Sequence, residues 1–324
     1  MAHLSISYTP PGERNKTNGL FCYDLAMKQG LVDIHIHGQG GLDVMSGDPD
    51  DLLELSLCLG RQGVAGFLAT IVSSPRRETV AALETVKKAM GRERGARILG
   101  VHLEGPFLHP ARKGAHNPRH LRPPDLKEAR EWLAAGEGLV RLVTLAPEIP
   151  GMEPVIRHLV GKGVRVSMGH TTATFDQALR GKRLGARSVT HLFNAMNPIH
   201  HRAPGLAGFA LLDRELYTEV IADGVHVSDE VVKLVFRTRP ADRIILISDG
   251  FFLTGLRQKG AFSLGGMKVR AFPDGSLRMV DGTLAGSNAT LPAIVERAVR
   301  LGVLPRSQVT AMASANPLRM LGLR

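Results

Sequence analysis

Eight short apolar segments, separated by stretches with helical spacing, constrain the fold of this chain more than any other feature of its sequence. The strand-like segments are residues 31–37, 66–72, 97–104, 140–146, 164–170, 188–193, 218–223 and 243–249. Continuous apolar strands that alternate with helices are typical of a parallel sheet buried on both faces. Because crossovers between parallel strands are right-handed, eight such units predict an α/β fold of the (β/α)8 barrel type.

An open, doubly wound sheet is the alternative architecture. Such a sheet would carry a GxGxxG phosphate loop after its first strand, whereas residues 38–41 read Gly-Gln-Gly-Gly and lack that pattern. The sequence therefore favours the closed barrel.

The length of 324 residues allows about two domains of average size, or one barrel with additions. Residues 1–30 are predicted to contain a short strand at 4–8 and a turn rich in Pro, Gly and Asn, and the barrel is predicted to occupy residues 31–324. The alternation of strands and helices stops after Gly250, where a hairpin-like stretch precedes an amphipathic segment at 288–301. Residues 251–287 are therefore predicted to be an insertion that follows strand eight.

The charge balance favours an anionic ligand, because 41 basic residues exceed 30 acidic residues by 11. The basic residues are scattered and only 15 aromatic residues are available for base stacking, so a small phosphorylated compound is expected rather than nucleic acid. No apolar run approaches the roughly 18 residues that would span a membrane. The N-terminal segment lacks the pattern of a secretory signal and the chain has two cysteines, which together predict a cytoplasmic protein.

Polar side chains are concentrated where the predicted strands end, which is where barrel enzymes place their chemistry. They are His35, His37, His102, Glu104, His170, His191, His226 and Asp249. Alternate residues of a strand point the same way, so His35 and His37 converge. A lone strand histidine is more often a hydrogen-bonded core residue, and His102 taken singly is assigned that role. Burying several such groups unpaired would be costly, so the set predicts a site for Zn²⁺ or Fe²⁺.

Several motifs together resemble one enzyme family. They are residues 30–38 (GLVDIHIHG), 101–107 (VHLEGPF), 113–116 (KGAH), 168–170 (MGH), 191–196 (HLFNAM), 202–208 (RAPGLAG), 221–226 (IADGVH) and 282–287 (GTLAGS). Over about residues 30–321, in this order, the chain resembles the N-acetylglucosamine-6-phosphate deacetylases of the amidohydrolase superfamily of metal-dependent barrels. The combination is highly specific, although each motif alone is not.

The resemblance implies a role for each site residue. Glu104, His170 and His191 would hold one divalent ion, either zinc or iron. The pair His35 and His37 is similar to that of members that hold a second ion, and Asp249 would be the catalytic acid/base. The residues implied to frame the amino-sugar phosphate are Ala115, His116, Asn194, Ala195, Arg202, His226, Leu284, Ala285 and Gly286. The resemblance also implies a homodimer with the phosphate end of the substrate near the subunit interface.

The chain departs from the family pattern in three places. The usual Thr-Asp-Ala around the catalytic aspartate reads Ser248-Asp249-Gly250, which keeps the carboxylate, and the usual Pro before the first strand is Gln29. The small β domain that the family builds from both termini is expected to be reduced, with residues 1–30 as its remnant.

The reaction implied is hydrolysis of the N-acetyl group of N-acetylglucosamine-6-phosphate, which yields glucosamine-6-phosphate and acetate. The planar guanidinium of Arg202 suits a phosphate because it can donate two parallel hydrogen bonds. Two alternatives stay open at this point. One is an amidohydrolase that acts on another N-acyl compound or cyclic amide, such as N-acetylgalactosamine-6-phosphate, and the other is a non-catalytic binding protein.

Overall fold

Eight parallel strands form a nearly closed barrel at the centre of this computed structural model, which describes residues 30–256, 261–264, 267–272 and 276–323. Numbered in chain order, the barrel strands are β1 (Leu31–Ile36), β4 (Val64–Val72), β5 (Arg97–Glu104), β6 (Val140–Leu145), β7 (Arg165–Met168), β8 (Ser188–Val189), β9 (Tyr217–Val220) and β10 (Ile244–Leu246). A hairpin of β2 (Gly38–Gln39) and β3 (Leu42–Asp43) lies between β1 and β4. The predicted barrel class is confirmed. The strand predicted at residues 4–8, like the rest of the segment 1–29, lies outside the described residues.

The barrel closes where β1 meets the chain that follows β10. The Asp249 amide donates to the His35 carbonyl over 2.9 Å, and the His37 amide donates to the Gly250 carbonyl over 2.7 Å. At the other end of β1, the Val32 amide donates to the carbonyl of Ala313 over 2.7 Å. Two candidate ligand residues, His35 and His37, therefore lie directly at this seam, opposite Asp249.

Helices cover the outer face of the barrel. They are α1 (Pro49–Gly60), α2 (Arg76–Ala89), α3 (Leu126–Gly136), α4 (Met152–Gly161), α5 (Phe175–Arg183), α6 (Gly205–Leu212), α7 (Asp229–Thr238), α8 (Leu291–Arg300), α9 (Arg306–Met312) and α10 (Ala315–Leu321). Polar caps fix where several of them begin; the side chain of Asp125, for example, accepts from the amides of Lys127 and Glu128 at the start of α3. None of the helices within the described ranges combines the length and the apolar character that crossing a bilayer would require.

The main core lies between the strands and the inner faces of the helices. Leu52, Leu55 and Leu59 of α1 are buried at helical spacing, and Trp132 of α3 packs on Phe107 with ring centroids 5.0 Å apart. Each large apolar side chain buried in this way contributes about 1.5–3 kcal/mol through removal from water. This packing makes the barrel a rigid support for the loops at its carboxyl end.

The region predicted as an insertion, residues 251–287, contains a small antiparallel sheet of β11 (Ala261–Leu264), β12 (Met267–Ala271) and β13 (Leu277–Met279). It has its own apolar cluster, which includes Phe251, Val269 and Leu277. The Ser287 amide donates to the Asp249 carbonyl over 3.0 Å, so the end of this region is attached to the chain beyond β10. This attachment holds the segment from Leu284 to Gly286 beside the mouth of the barrel.

Candidate metal centre

Three side chains from three different strand ends meet at one point inside the mouth of the barrel. Glu104 is the last residue of β5, whereas His170 and His191 lie two residues beyond β7 and β8. The Oε1 atom of Glu104 and the Nε2 atoms of the two histidines are each 3.1 Å from one another. All three residues are at most 4% exposed. The sequence therefore predicted a set of side chains that the fold does bring together.

The backbone of this site is unusual for residues that carry a side chain. His170, His191 and Asp249 have positive φ angles of 47°, 28° and 48°, in the left-handed region that non-glycine residues rarely adopt. The prediction extended strands five, six and eight through these residues, but β7, β8 and β10 end at Met168, Val189 and Leu246. The chain turns just after the last paired residue, and this turn directs each side chain across the barrel mouth.

The ring of His170 is held on two sides. Its Nδ1 atom lies 2.8 Å from the carbonyl oxygen of Arg112, to which a protonated Nδ1 donates, so Nε2 carries the lone pair that a metal requires. Gly114 lies against the edge of the same ring, and a Cβ atom there would stand 2.9 Å from Cε1 of His170. Glycine is therefore the residue that allows the loop after β5 to approach this histidine.

A second group of ligand atoms lies beside the first. Asp249 Oδ1 is 3.3 Å from His35 Nε2 and 3.5 Å from His37 Nε2. Glu104 connects the two groups, because its Oε1 is 3.4 Å from His35 Nε2 and its Oε2 is 3.2 Å from His37 Nε2. We call Glu104, His170 and His191 the first metal group, and His35, His37 and Asp249 the second metal group.

The donor set of both groups fits a divalent metal. Ligand atoms about 2.0–2.1 Å from a tetrahedral zinc ion are about 3.3 Å from one another, and the observed separations in the first metal group are 3.1 Å. Imidazole nitrogen combined with carboxylate oxygen is a set that Zn²⁺ and Fe²⁺ both accept. Each of the two groups therefore offers three protein ligands; those of the first are all buried, whereas His37 and Asp249 of the second are partly exposed.

Burial and neighbouring charges shift the pKa values of the ligand residues, some downward and some upward. Burial alone would raise the pKa of Asp249, but the adjacent imidazoles of His35 and His37 hold that pKa well below its usual range. Burial lowers and the neighbouring carboxylates of Asp249 and Glu104 raise the pKa of His37, with a net increase to about 9. For His170 burial dominates and lowers the pKa to about 4. Asp249 is therefore ionised at neutral pH.

A cavity of about 710 Å³ opens above the two groups. The predicted site residues that line it are His37, Glu104, Ala115, His116, His170, His191, Asn194, Ala195, His226, Asp249, Leu284, Ala285 and Gly286. His35 is fully buried below the floor. Arg202 is exposed, lies outside the lining and has its Nη1 atom 2.6 Å from Nε2 of His201.

The Amidohydrolase family matches residues 28–324 of the sequence, a range that includes the whole described barrel. This chain belongs to the amidohydrolase family. The resemblance found in the sequence motifs is thereby confirmed.

Curated relatives of this amidohydrolase are deacetylases of amino-sugar phosphates. It is 37% identical over 293 residues to the N-acetylgalactosamine-6-phosphate deacetylase of Escherichia coli O157:H7, an alignment that covers 90% of this chain and 77% of that protein. It is 38% identical over 268 residues to the N-acetylglucosamine-6-phosphate deacetylase of Bacillus subtilis, which covers 82% of this chain and 67% of that protein.

Solved structures of N-acetylglucosamine-6-phosphate deacetylases share the fold of this amidohydrolase. The enzyme from Thermotoga maritima superposes with a TM-score of 0.84 at 36% identity and covers 91% of this chain and 79% of its own. A variant of the Mycobacterium smegmatis enzyme in complex with N-acetyl-D-glucosamine-6-phosphate gives a TM-score of 0.83 at 36% identity, with coverages of 91% and 77%.

Two carboxylates of the amidohydrolase were not singled out from the sequence. Asp223 Oδ2 is 2.7 Å from Nδ1 of His226 and accepts a hydrogen bond from Ser287 Oγ over 2.9 Å. Glu219 Oε2 is 3.2 Å from Nδ1 of His35. Asp223 lies within one of the recognised motifs, and Glu219 is an acidic residue inside an otherwise apolar strand, which is the signal that could have revealed it.

The core assignment of His102 agrees with its surroundings. Its Nε2 atom is 2.8 Å from Oγ1 of Thr144, and its Nδ1 atom is 3.4 Å from Oγ1 of Thr70. The Thr144 hydroxyl lies 2.7 Å from that of Thr190. These contacts form a buried polar layer beneath the two metal groups of the amidohydrolase.

Proposed function

We propose that this chain is a metal-dependent deacetylase that hydrolyses N-acetylglucosamine-6-phosphate to glucosamine-6-phosphate and acetate. The observation that carries the proposal is the first metal group, whose three ligand atoms lie 3.1 Å apart beside the ionised carboxylate of Asp249. The relatives named above, which act on amino-sugar phosphates, supply the substrate class.

A divalent ion bound by the metal groups would supply Lewis-acid chemistry. A bound divalent ion would polarise the acetamide carbonyl and make water a better nucleophile at neutral pH. We propose zinc or iron, held by Glu104, His170 and His191, with room for a second ion at the second metal group.

The protein's own part in the reaction centres on Asp249. Its carboxylate is ionised and 15% exposed at the cavity wall, so it can accept a proton from the attacking water as the new C–O bond forms. It can then return that proton to the amide nitrogen as the C–N bond breaks, because an amine leaves readily only when it is protonated. His116 is buried, lines the same cavity and has its Nε2 3.2 Å from Oε2 of Glu104, so we assign it to the substrate-binding residues beside the first metal group.

We assign the phosphate end of the substrate to His226 and Arg202. His226 lines the cavity and Asp223 orients its ring. Arg202 is exposed on its own chain, and we propose a homodimer in which this side chain lies near the cavity of a neighbouring copy. We place the enzyme in the cytoplasm, where the free thiol of Cys58 would stay reduced. Residues 31–324 would be the catalytic unit, with 251–287 as its insertion.

An acetate-release assay combined with metal analysis tests the proposal. The purified chain, loaded with Zn²⁺ or Fe²⁺, should release acetate from N-acetylglucosamine-6-phosphate and lose this activity on chelation. N-acetylglucosamine without phosphate is the control and should react far more slowly. Folded, metal-loaded protein without acetate release from any of these compounds would reject the proposal and favour a binding role.

N-acetylgalactosamine-6-phosphate is the second candidate substrate. The relative from Escherichia coli O157:H7, 37% identical, is named for that epimer. The two compounds differ in the orientation of one hydroxyl group, so parallel measurement of kcat/KM on both decides between them.

A further inference from the structure

A carboxylate lies buried behind the second metal group, on β9. The side chain of Glu219 is fully buried, its Oε2 is 3.2 Å from Nδ1 of His35, and the same oxygen accepts from the His191 amide over 3.4 Å. Its Oε1 has no hydrogen-bond partner among the described residues. Burial of a carboxylate with one oxygen unpartnered is costly, so this position calls for a reason other than packing.

The contact with His35 determines which nitrogen of that ring is available. A carboxylate only accepts hydrogen bonds, so the proton of His35 is held on Nδ1. With an ion at the second metal group, the lone pair would then reside on Nε2, which lies 3.3 Å from Asp249 Oδ1 and 3.4 Å from Glu104 Oε1. Glu219 therefore prepares Nε2 of His35 as a ligand directed at the second metal group.

The other ligand histidines lack this arrangement. In the described part of the chain, Nδ1 of His37 and Nδ1 of His191 have no hydrogen-bond partner, and Nδ1 of His170 faces a backbone carbonyl. Among the rings of these histidines, that of His35 is thus the one in contact with a carboxylate at Nδ1 within the described residues. Carboxylates behind ligand histidines raise ligand basicity and fix ring orientation, and their loss costs about 10–100-fold in metal affinity.

We propose that Glu219 is a positioning residue that enables the second metal group to hold a second divalent ion through His35. The proposal deepens the metal-dependent function proposed above and rests on it only for the identity of the ion. Glu219 itself is not a ligand, and its effect is expressed through the tautomer and basicity of His35.

Metal binding by Glu219→Gln tests this proposal directly. Full-length protein is stripped with a chelator, equilibrated with buffered Zn²⁺ and measured for ions per chain. Wild type should bind two ions. Glu219→Gln should keep the tighter ion at the wild-type affinity and bind the other about 10–100-fold more weakly, because a neutral amide makes the ring a weaker base and can present its NH2 group to Nδ1 in place of an acceptor.

Three companion variants make the test specific. His35→Gln should lose the same ion, and Glu219→Gln should add no further loss in that background. Glu219→Asp keeps the charge but shortens the reach to Nδ1, so it should weaken the same ion. Glu128→Gln is the matched control, because Glu128 is also fully buried but pairs with Arg76 and Arg122 and belongs to neither metal group, so it should leave both affinities unchanged. Melting curves of the stripped proteins establish that each variant is folded.

Failure of this proposal and failure of the proposed deacetylase function give different results. The proposal is overturned if Glu219→Gln binds two ions as tightly as wild type, if it loses both ions equally, or if wild type binds one ion that His35→Gln does not affect. Absence of acetate release by wild-type protein would instead reject the proposed deacetylase function, since the ion count is measured without substrate.

Discussion

Asp249 occupies its position because the backbone on both sides of it is fixed. Its amide donates to the His35 carbonyl over 2.9 Å, and its own carbonyl accepts from Ser287 over 3.0 Å. The φ angle of 48° between these bonds is strained for a residue with a Cβ atom, a cost of about 1–3 kcal/mol that neighbouring contacts must offset. A strained, doubly anchored residue is a rigid one, which suits a group that must meet one atom of the substrate.

The variant Asp249→Asn should separate proton transfer from metal binding at the first metal group. It keeps the shape of the side chain but removes the base, so kcat should fall by about 10³-fold. The first metal group does not include Asp249, and metal analysis should therefore still find its ion. Acetate release at matched metal content is the measurement.

The control for that variant is Asp213→Asn, which changes a carboxylate paired with Lys182 and not among the residues lining the cavity. Its kcat should equal that of wild type. Near-normal activity of Asp249→Asn under these conditions would show that another group moves the proton.

A second residue-scale prediction concerns Asp223, which accepts from Nδ1 of His226 at 2.7 Å. In Asp223→Asn the ring of His226 loses its charged acceptor and its fixed orientation. The KM for the phosphorylated substrate should rise about 10-fold, a change of about 1.4 kcal/mol in binding, with kcat little changed.

The unphosphorylated sugar is the internal control for Asp223→Asn, because it lacks the group assigned to His226. Its kcat/KM should stay at the wild-type value. An equal loss on both compounds would mean that Asp223 supports the fold of the loop rather than recognition of the phosphate.

At the scale of elements, the sequence predicted the order of strands better than their ends. Buried apolar residues such as Leu192 and Ile247 continue beyond the last ladder residues of β8 and β10, so hydrophobicity alone extends the predicted strand. The turn that follows each strand depends on hydrogen bonds to distant segments, which the local sequence pattern cannot predict. The ligand residues could be named because their side-chain chemistry is visible in the sequence, whereas their left-handed backbone could not.

Helix α10, which the sequence analysis did not predict, is tied to the base of β10 by Asn316. This side chain is 2% exposed and donates to the carbonyls of Ala241 and Ile244 over 2.9 and 2.8 Å. In Asn316→Leu these bonds are lost while the number and branching of the side-chain heavy atoms are kept. The free energy of unfolding in urea should fall by about 1–3 kcal/mol, since the buried Ile244 carbonyl loses this donor, whereas the Ala241 carbonyl still accepts from the Ile244 amide.

Arg306→Ala provides the comparison for α10. Arg306, on the adjacent helix α9, pairs with Glu296 of α8 on an exposed surface, where ion pairs contribute little. The urea midpoint of this variant should match that of wild type. A similar midpoint for Asn316→Leu would show that α10 is held by its apolar contacts alone.

At the scale of the whole molecule, Arg202 is the predicted site residue whose place the sequence could least define. Its motif indicated a role at the substrate, yet its side chain is exposed outside the cavity lining of its own chain. A sequence pattern contains no information on whether a side chain serves its own cavity or that of a second copy. The proposed homodimer makes the two cases experimentally distinct.

Mixing two defective variants tests whether Arg202 acts between copies. Arg202→Ala lacks the proposed phosphate contact, and Asp249→Asn lacks the acid/base, so each alone should be nearly inactive at substrate concentrations below KM. If Arg202 serves the neighbouring copy, a heterodimer contains one site with both groups. Random exchange of subunits makes half of the dimers heterodimers, so the mixture should recover about a quarter of the wild-type acetate release. Recovery that appears only after subunits have been allowed to exchange is the expected result, whereas a mixture no more active than the sum of its parts would assign Arg202 to its own chain.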